Sequence, residues 1–278
     1  MRHTPAGDEY TRAVQGELFL TTSILFERTS TGVGLLTINR PQLRNALNWK
    51  AMESFSAAVS SAHKEPDLRV LIVTGANGTF CTGGDLYELD KYPDRLDGAR
   101  LVGTMGDALV ALESLPFPTI AAIEGPALGG GAKVALACDL RIMAEGASLG
   151  CMHIRLGITP AWGGGQRLMR IVGYSRAMEW LAIGRVLSSS EAQEYGLVNR
   201  IVTKGQALEA GSLIAEEIAQ RDPDAVRSVK RLLQAGIELP PAEALAQERA
   251  LFLDLWAAPA HLETSSRFVS RNNHRARS

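Results

Sequence analysis

Apolar and polar residues recur along most of the chain in patterns that define short, regular elements. Two largely apolar segments, 24–27 and 34–39, flank a glycine-containing turn and predict a hairpin of two strands. Apolar residues at helical spacing predict a helix over residues 49–63, and the apolar run at 70–74 predicts a buried strand. The pattern continues with a helix at 98–114, a strand at 119–123 and a helix at 129–137. This alternation favours an α/β fold whose largely parallel sheet has helices on its faces.

The pattern changes after about residue 206, where only helices are expected. A helical block without strands cannot extend the sheet, so it packs back on the body, forms a separate lobe or contacts another subunit. The expected helices span residues 208–220, 224–236 and 241–257. The first 22 residues mix Gly, Pro, Thr and charge without periodicity, which is typical of a mobile extension. The predicted organisation is a mobile leader at 1–22, an α/β core at 23–206, and a helical region at 207–278 with a frayed tail from Arg267 to Ser278.

Composition narrows the class of protein. The chain has 278 residues, a formal net charge of -1, 46% hydrophobic residues and 21% charged residues. These values suit a globular protein with a packed core and exclude a disordered chain. The near-neutral charge disfavours nucleic acid as a partner, so any polar ligand must meet a local site.

Other compositional signals bear on location and cofactors. The longest apolar stretch, 119–138, carries Glu124 and Lys133 and is broken by Gly125-Pro126, so it predicts a buried segment and no membrane partner. The three cysteines cannot all pair, and the N-terminus lacks the apolar core of a signal peptide, which favours a cytoplasmic location. Ligand spacing for a metal is absent from the sequence, so no metal is expected.

Glycine is concentrated in three clusters, and this concentration is the strongest chemical signal. A Gly-rich turn that leads into a helix can direct free backbone N–H groups at negative charge, so two such turns can form an anion hole. For any single cluster, a tight strand-to-helix turn is the alternative. The clusters are Gly75, Gly78, Gly83 and Gly84; Gly125 with Gly129, Gly130 and Gly131; and Gly157 with Gly163, Gly164 and Gly165. Neither phosphate-loop nor dinucleotide-binding spacing is present, which disfavours nucleotide hydrolysis and hydride transfer.

Taken together, the motifs of residues 24–233 resemble those of the crotonase, or enoyl-CoA hydratase/isomerase, superfamily. They are Asn39-Arg40-Pro41, Arg44-Asn45-Ala46-Leu47, Thr74-Gly75, Phe80-Cys81-Thr82-Gly83-Gly84-Asp85-Leu86, Gly125-Pro126-Ala127-Leu128-Gly129-Gly130-Gly131-Ala132, Ala137-Cys138-Asp139-Leu140-Arg141, Leu156-Gly157-Ile158-Thr159-Pro160, Glu191-Ala192 and Gly196-Leu197-Val198. The resemblance implies a fold of repeated ββα units with a C-terminal helical trimerisation region. It also implies a homotrimer or a dimer of trimers.

The same resemblance implies where an acyl-CoA substrate binds. In the family each of two Gly-rich turns gives one backbone N–H to the thioester oxygen, and the matching donors here are Gly84 and Gly130. Fixed dipoles stabilise the charge of an enolate there, and loss of one such donor typically costs roughly 3–4 kcal/mol. The positions implied near the coenzyme are Gln42, Arg44, Ala46, Thr82, Gly83, Asp85, Leu86 and Gly129. Arg44 either meets a phosphate or is solvated, and Lys230 and Arg231 either assist or form a solvated face. Coenzyme A belongs to the substrate, so no separate cofactor is expected.

The sequence departs from the hydratase pattern at its two acid/base positions. Typical hydratases of the family use two glutamates, and the matching positions hold Lys133 and His153. Lys133 falls on the first turn of a helix among apolar residues, where its pKa should fall unless an anion is near; the alternative is that it reaches solvent. His153 titrates near neutrality and can donate or accept a proton, or it is structural. Trp162 either shapes the acyl pocket or packs between loops.

Two potentially cationic groups in place of two carboxylates favour a substrate with extra negative charge. A malonyl-type acyl-CoA fits, because loss of carbon dioxide leaves an enolate in the Gly84/Gly130 hole, which His153 or Lys133 then protonates. The stretch from His153 to Gly164 is similar to that of carboxylated-acyl-CoA decarboxylases in the superfamily. The alternatives are a hydratase or isomerase with atypical acid/base residues, a hydrolase of β-diketone carbon–carbon bonds, and a non-catalytic protein that binds CoA thioesters.

Overall fold

The structure is a computed structural model that describes residues 23–275, so the predicted leader at 1–22 lies outside the described residues. The strands are β1 (Ile24–Arg28), β2 (Val33–Ile38), β3 (Val70–Gly75), β4 (Thr119–Ile123), β5 (Ala127–Leu128), β6 (Leu140–Ala144), β7 (Ser148–Gly150), β8 (Leu187–Ser188) and β9 (Arg200–Val202). The helices are α1 (Trp49–Lys64), α2 (Leu86–Leu89), α3 (Arg95–Glu113), α4 (Gly130–Ala137), α5 (Gly164–Val172), α6 (Tyr174–Ile183), α7 (Ser189–Glu194), α8 (Ala207–Ala219), α9 (Pro223–Glu238), α10 (Pro241–Trp256) and α11 (Pro259–Arg275).

A six-stranded sheet in the order β1-β2-β3-β4-β6-β9 organises the body. The hairpin pair β1/β2 is antiparallel and the other four pairs are parallel, which confirms the predicted hairpin and the largely parallel sheet. A second sheet, β5-β7-β8, stands apart from it. Its strands have only two or three residues each, too few to show a period, and they were not predicted from the sequence.

Both faces of the large sheet are buried. Val70 and Ile72 of β3 pack in one apolar cluster with Ala215 of α8, while Leu71 and Val73 belong to the larger cluster on the opposite face. Helix α8 therefore covers one face of the sheet. This corrects the predicted boundary at residue 206, because the first compact unit ends at Ala219. The end of the strand pattern marks the last strand and not the end of the packed unit.

The second unit begins at Gln220 and consists of helices. Within it, α9 packs on α10, and α10 is followed by α11. Residues 267–275, within the predicted frayed tail, belong to helix α11, and fraying of this end stays a prediction. Neither glycine nor proline follows Pro259 in the sequence, so nothing breaks that helix, and Arg267 pairs with Glu263 one turn earlier.

The apolar stretch at 119–138 is divided among β4, β5 and α4 and is buried along most of its length. Within residues 23–275, no helix is long and apolar enough to cross a membrane.

Candidate active site

The first two glycine clusters lie side by side. Cys81, after β3, pairs in parallel with Ala127 of β5; its N–H donates to the Pro126 carbonyl at 3.1 Å, and its carbonyl accepts from the Leu128 N–H at 2.9 Å. This pairing brings Gly83 against Gly130, where a Cβ added to Gly83 would lie 3.0 Å from the Gly130 nitrogen. Gly83 has φ +106°, so glycine is required there both for space and for backbone conformation.

The two predicted donors keep their amide groups free. Leu47 pairs with Gly84 through its N–H to the Gly83 carbonyl at 2.8 Å and through its carbonyl to the Asp85 N–H at 2.9 Å, and neither bond uses the Gly84 N–H. Gly130 is the first residue of α4, where an N–H has no intrahelical acceptor. Among the residues that the structure describes, neither N–H has a hydrogen-bond acceptor. The adjacent turns thus present two unpaired donors.

A buried ion pair fixes the first turn. Nη2 of Arg40 lies 3.1 Å from Oδ2 of Asp85, each side chain is 10% exposed, and Arg40 also donates to the Ala46 carbonyl. The Asp85 carboxylate, which the resemblance implied near the coenzyme, therefore binds a neighbouring arginine. Asn45 adds a second brace: it accepts from the Arg40 N–H at 2.8 Å and donates to the carbonyls of Ala76 and Thr79.

The roles of Arg40 and Asn45 were missed in the sequence, although both belong to the quoted motifs. The pair Arg40–Asp85 joins residues far apart in the chain, so no local period reveals it. Arg44 and Asn45 both have positive φ, 51° and 57°, which forms a turn that asparagine tolerates better than most residues.

Several of the other residues implied near the coenzyme are exposed to solvent. Gln42, Arg44 and Leu86 are exposed, and Ala46 is half-buried. The N–H and Oγ1 of Thr82 both donate to the Arg44 carbonyl, at 3.2 and 3.1 Å.

Two further basic residues considered for the coenzyme lie in the second unit. Lys230 and Arg231 are on α9, where Lys230 is buried and Arg231 is exposed. The burial of Lys230 does not fit the alternative of a solvated face for that residue.

Lys133 is buried, not solvent-exposed. It lies on the first turn of α4, is 3% exposed, and its Nζ is 3.8 Å from the centroid of the Trp162 ring. The stem passes over Gly164, where an added Cβ would lie 2.8 Å from Cδ of Lys133 and closer still to its Cγ. Gly164, one member of the third glycine cluster, therefore makes room for a lysine, a function that the sequence did not reveal.

Trp162 joins this lysine to the second turn. A Cβ on Gly130 would lie 2.7 Å from Cζ3 of Trp162, so the ring contacts the donor residue as well as the ammonium. Its Nε1 donates to the Leu101 carbonyl at 3.0 Å, and its own carbonyl accepts from Arg167 at 2.7 Å. Arg167 is held in turn by Glu113 at 2.6 and 2.9 Å. The ring is thus fixed on several sides.

Among residues 23–275, no anion compensates the Lys133 charge. Burial lowers the pKa of Lys133 from 10.5 to about 8. The titratable neighbours Cys81 and Cys151 stay protonated at neutral pH, because burial raises the pKa of Cys81 to about 12 and that of Cys151 to about 11. In the described part of the chain no carboxylate pairs with Lys133.

His153 borders the second turn from a short 3-10 helix, His153–Leu156. Its Nε2 lies 3.9 Å from the position of a Cβ on Gly129, and its Nδ1 is buried without a hydrogen-bond partner among residues 23–275. Burial first, and then Lys133, lower the pKa of His153 from 6.5 to about 4. Of the two potential cations predicted from the sequence, Lys133 is therefore mostly charged at neutral pH and His153 is neutral.

Comparison with known proteins identifies the family and the fold. The sequence profile of the family described as enoyl-CoA hydratase/isomerase matches residues 28–275. An ethylmalonyl-CoA decarboxylase from Gallus gallus is 32% identical over 248 residues, 88% of this chain and 83% of that protein. A probable enoyl-CoA hydratase from Rhizobium meliloti is 36% identical over 249 residues, 89% of this chain and 95% of that protein. A crystal structure of enoyl-CoA hydratase from Bacillus anthracis superposes with TM-score 0.85 at 36% identity, covering 90% of this chain and 96% of that one. The predicted α/β fold with a helical C-terminal region is confirmed, and trimerisation through that region stays a prediction.

Proposed function

The chain belongs to the enoyl-CoA hydratase/isomerase family and acts on acyl-CoA thioesters, and we propose that its reaction is decarboxylation of a malonyl-type acyl-CoA. The observation that carries the proposal is the Lys133 ammonium, a buried cation beside the second glycine turn with no anionic partner among the described residues. A buried charge without a partner is costly. A carboxylate on the substrate supplies the missing negative charge.

Binding divides the substrate between two sets of groups. The thioester oxygen accepts from the N–H groups of Gly84 and Gly130, and the substrate carboxylate meets Lys133 over the Trp162 ring. Coenzyme A extends toward the exposed side chains of Gln42, Arg44 and Leu86. Lys133 orients the carboxylate, while the glycine donors lower the barrier, because only they meet charge that develops during the reaction.

The chemistry then follows from where the electrons go. The bond between the α-carbon and the carboxylate breaks, and carbon dioxide leaves. The electron pair of that bond stays with the thioester and forms an enolate whose charge lies on the thioester oxygen. The Lys133 ammonium gives a proton to the α-carbon and regains one from solvent. His153 is not the acid at neutral pH, since its pKa of about 4 leaves it neutral there.

Hydration of an enoyl-CoA is the second candidate, and relatives named enoyl-CoA hydratase favour it. The residues around the hole favour it less. Residues 127–133 contain no acid, and the Asp85 carboxylate beside the first turn is bound to Arg40. A hydratase built on this site would use the neutral Lys133 amine as its base.

A substrate panel tests the proposal. The protein is incubated with ethylmalonyl-CoA, methylmalonyl-CoA, crotonyl-CoA and a β-diketone, and products are identified by mass spectrometry. We expect loss of carbon dioxide from a malonyl-type thioester, with one deuterium at the α-carbon when the solvent is D₂O. Lys133→Met should abolish this turnover, whereas Lys204→Met, at an exposed position, should not change it.

Other products would select other functions. Gain of water on crotonyl-CoA without decarboxylation contradicts the proposal and selects hydration, and cleavage of the diketone selects carbon–carbon hydrolysis. Tight thioester binding without turnover selects a non-catalytic CoA-binding protein. The homotrimer or dimer of trimers stays a prediction, and light scattering at micromolar concentration measures it.

A further inference from the structure

We propose that the Lys133 amine also adds to the β-carbon of α,β-unsaturated acyl-CoA thioesters, so that the site captures enoyl-CoA as a covalent adduct. The inference rests on the enolate hole of the proposed function but does not require decarboxylation. It assigns a nucleophilic role and a covalent modification site to Lys133, which serves as a cation and a proton donor in the proposed decarboxylation.

The position of the amine supports this role. Gly164 and the Trp162 ring confine the Lys133 side chain, and Trp162 itself is held by Leu101 and Arg167. Because the same ring touches Gly130, the amine is fixed beside the chain of any acyl group whose oxygen occupies the hole. A pre-positioned nucleophile has a large effective concentration toward a bound electrophile.

The amine is also available as a nucleophile. At a pKa of about 8, roughly a fifth of Lys133 is unprotonated at pH 7.4. The titratable groups that face it, Cys81, Cys151 and His153, are all neutral at that pH. The charged Arg167 on α5 is engaged by Glu113, and no carboxylate in the described chain holds the ammonium form in place.

The reaction balances without an added reagent. The nitrogen lone pair forms a bond to the β-carbon, the double-bond pair moves between the α-carbon and the carbonyl carbon, and the carbonyl pair moves to the oxygen. Gly84 and Gly130 stabilise that oxygen as they would in decarboxylation. The proton of the new ammonium then passes to the α-carbon. The carbon–sulfur bond stays intact, so the adduct retains coenzyme A.

Intact-mass spectrometry tests the proposal on the full chain. After incubation with crotonyl-CoA at pH 8.5 and an acid quench, we expect one added mass per chain equal to the whole thioester, mapped to Lys133 by peptide analysis. Saturated butyryl-CoA should give no adduct. Lys133→Arg should abolish capture, and Lys204→Arg should not affect it. Gly164→Ala should slow capture at least tenfold, because the added Cβ displaces the lysine stem.

The dependence on pH separates this role from the proposed function. Capture uses the neutral amine, so its rate should rise with pH and level off above about 8, whereas decarboxylation uses the ammonium and should decline there. Addition of the acyl group alone, an adduct on other lysines, or no adduct overturns the inference even if decarboxylation is observed. Capture without decarboxylation supports the inference and contradicts only the proposed function.

Discussion

Replacing Lys133 by methionine should make the protein more stable and less active. The native pKa of about 8 lies below the ordinary value of 10.5, and at about 1.4 kcal/mol per pH unit the difference corresponds to about 3 kcal/mol of lost stability at neutral pH. Methionine keeps an unbranched stem in the gap over Gly164 and carries no charge. It forfeits the contact of the cation with the Trp162 ring, worth about 1–2 kcal/mol. The expected net gain at pH 7 is therefore roughly 1–2 kcal/mol.

The stability gained by Lys133→Met should decrease as the pH rises. Below pH 8 the native and unfolded chains both carry the Lys133 proton, so the full cost of the buried charge is present. Between pH 8 and 10.5 the native lysine has lost its proton while the unfolded one retains it, and the stability of the wild type rises with pH. Above 10.5 both forms are neutral. The advantage of Lys133→Met should therefore shrink from pH 8 to pH 10.5.

Urea unfolding followed by tryptophan fluorescence measures both effects, at equal protein concentrations and at pH 7 and pH 10. Lys204→Met, at an exposed position, serves as the control and should match the wild type at both values. A Lys133→Met protein that is less stable at pH 7, or whose advantage is the same at pH 10, would refute the argument that an uncompensated charge is buried there.

Three other substitutions test the parts around this lysine. Gly130→Ala puts a Cβ 2.7 Å from Cζ3 of Trp162 and should lower kcat/KM by a factor of about 10²–10³. The control Gly103→Ala, whose added Cβ has no other atom within 4 Å among the described residues, should keep full activity in the same assay. Arg40→Met leaves the Asp85 carboxylate buried and unpaired, and should lower the free energy of unfolding in urea by about 3–5 kcal/mol. Adding Asp85→Asn to this variant should restore part of that stability. Equal stability of the single and the double variant would contradict a buried ion pair. Because the pKa of His153 is about 4, the pH–rate profile should show no inflection near 6.5. An inflection there that is lost in His153→Gln would show that this histidine titrates at its ordinary pKa.

The sequence predicted the parts of the fold whose residues repeat locally. The apolar run at 70–74 identified β3, and the segment 34–39 after a glycine-containing turn identified β2, because such strands carry their signal within a few residues. Strands of two or three residues such as β5 have no such pattern. The boundary after α8 was missed because packing on a sheet face does not appear in the order of elements.

Contacts between distant segments account for what was missed at the candidate site. Gly84 and Gly130 entered through resemblance to a family, since nothing local shows that their turns meet. The gap that Gly164 leaves for Lys133 and the bond from Arg40 to Asp85 each join segments that only the tertiary structure brings together. Burial also decided the charge of His153, which the ordinary pKa of a histidine does not predict.

The two thiols that flank Lys133 provide a built-in measure of how often this interior opens. Cys81 and Cys151 are free, buried and hard to ionise, so an alkylating reagent can modify them only when the surrounding segments separate transiently. The rate at which these thiols are labelled therefore measures how often the surrounding segments open. A thioester that binds to both glycine turns and to the lysine should lower this labelling rate. The size of the decrease reports the affinity of the thioester without any turnover.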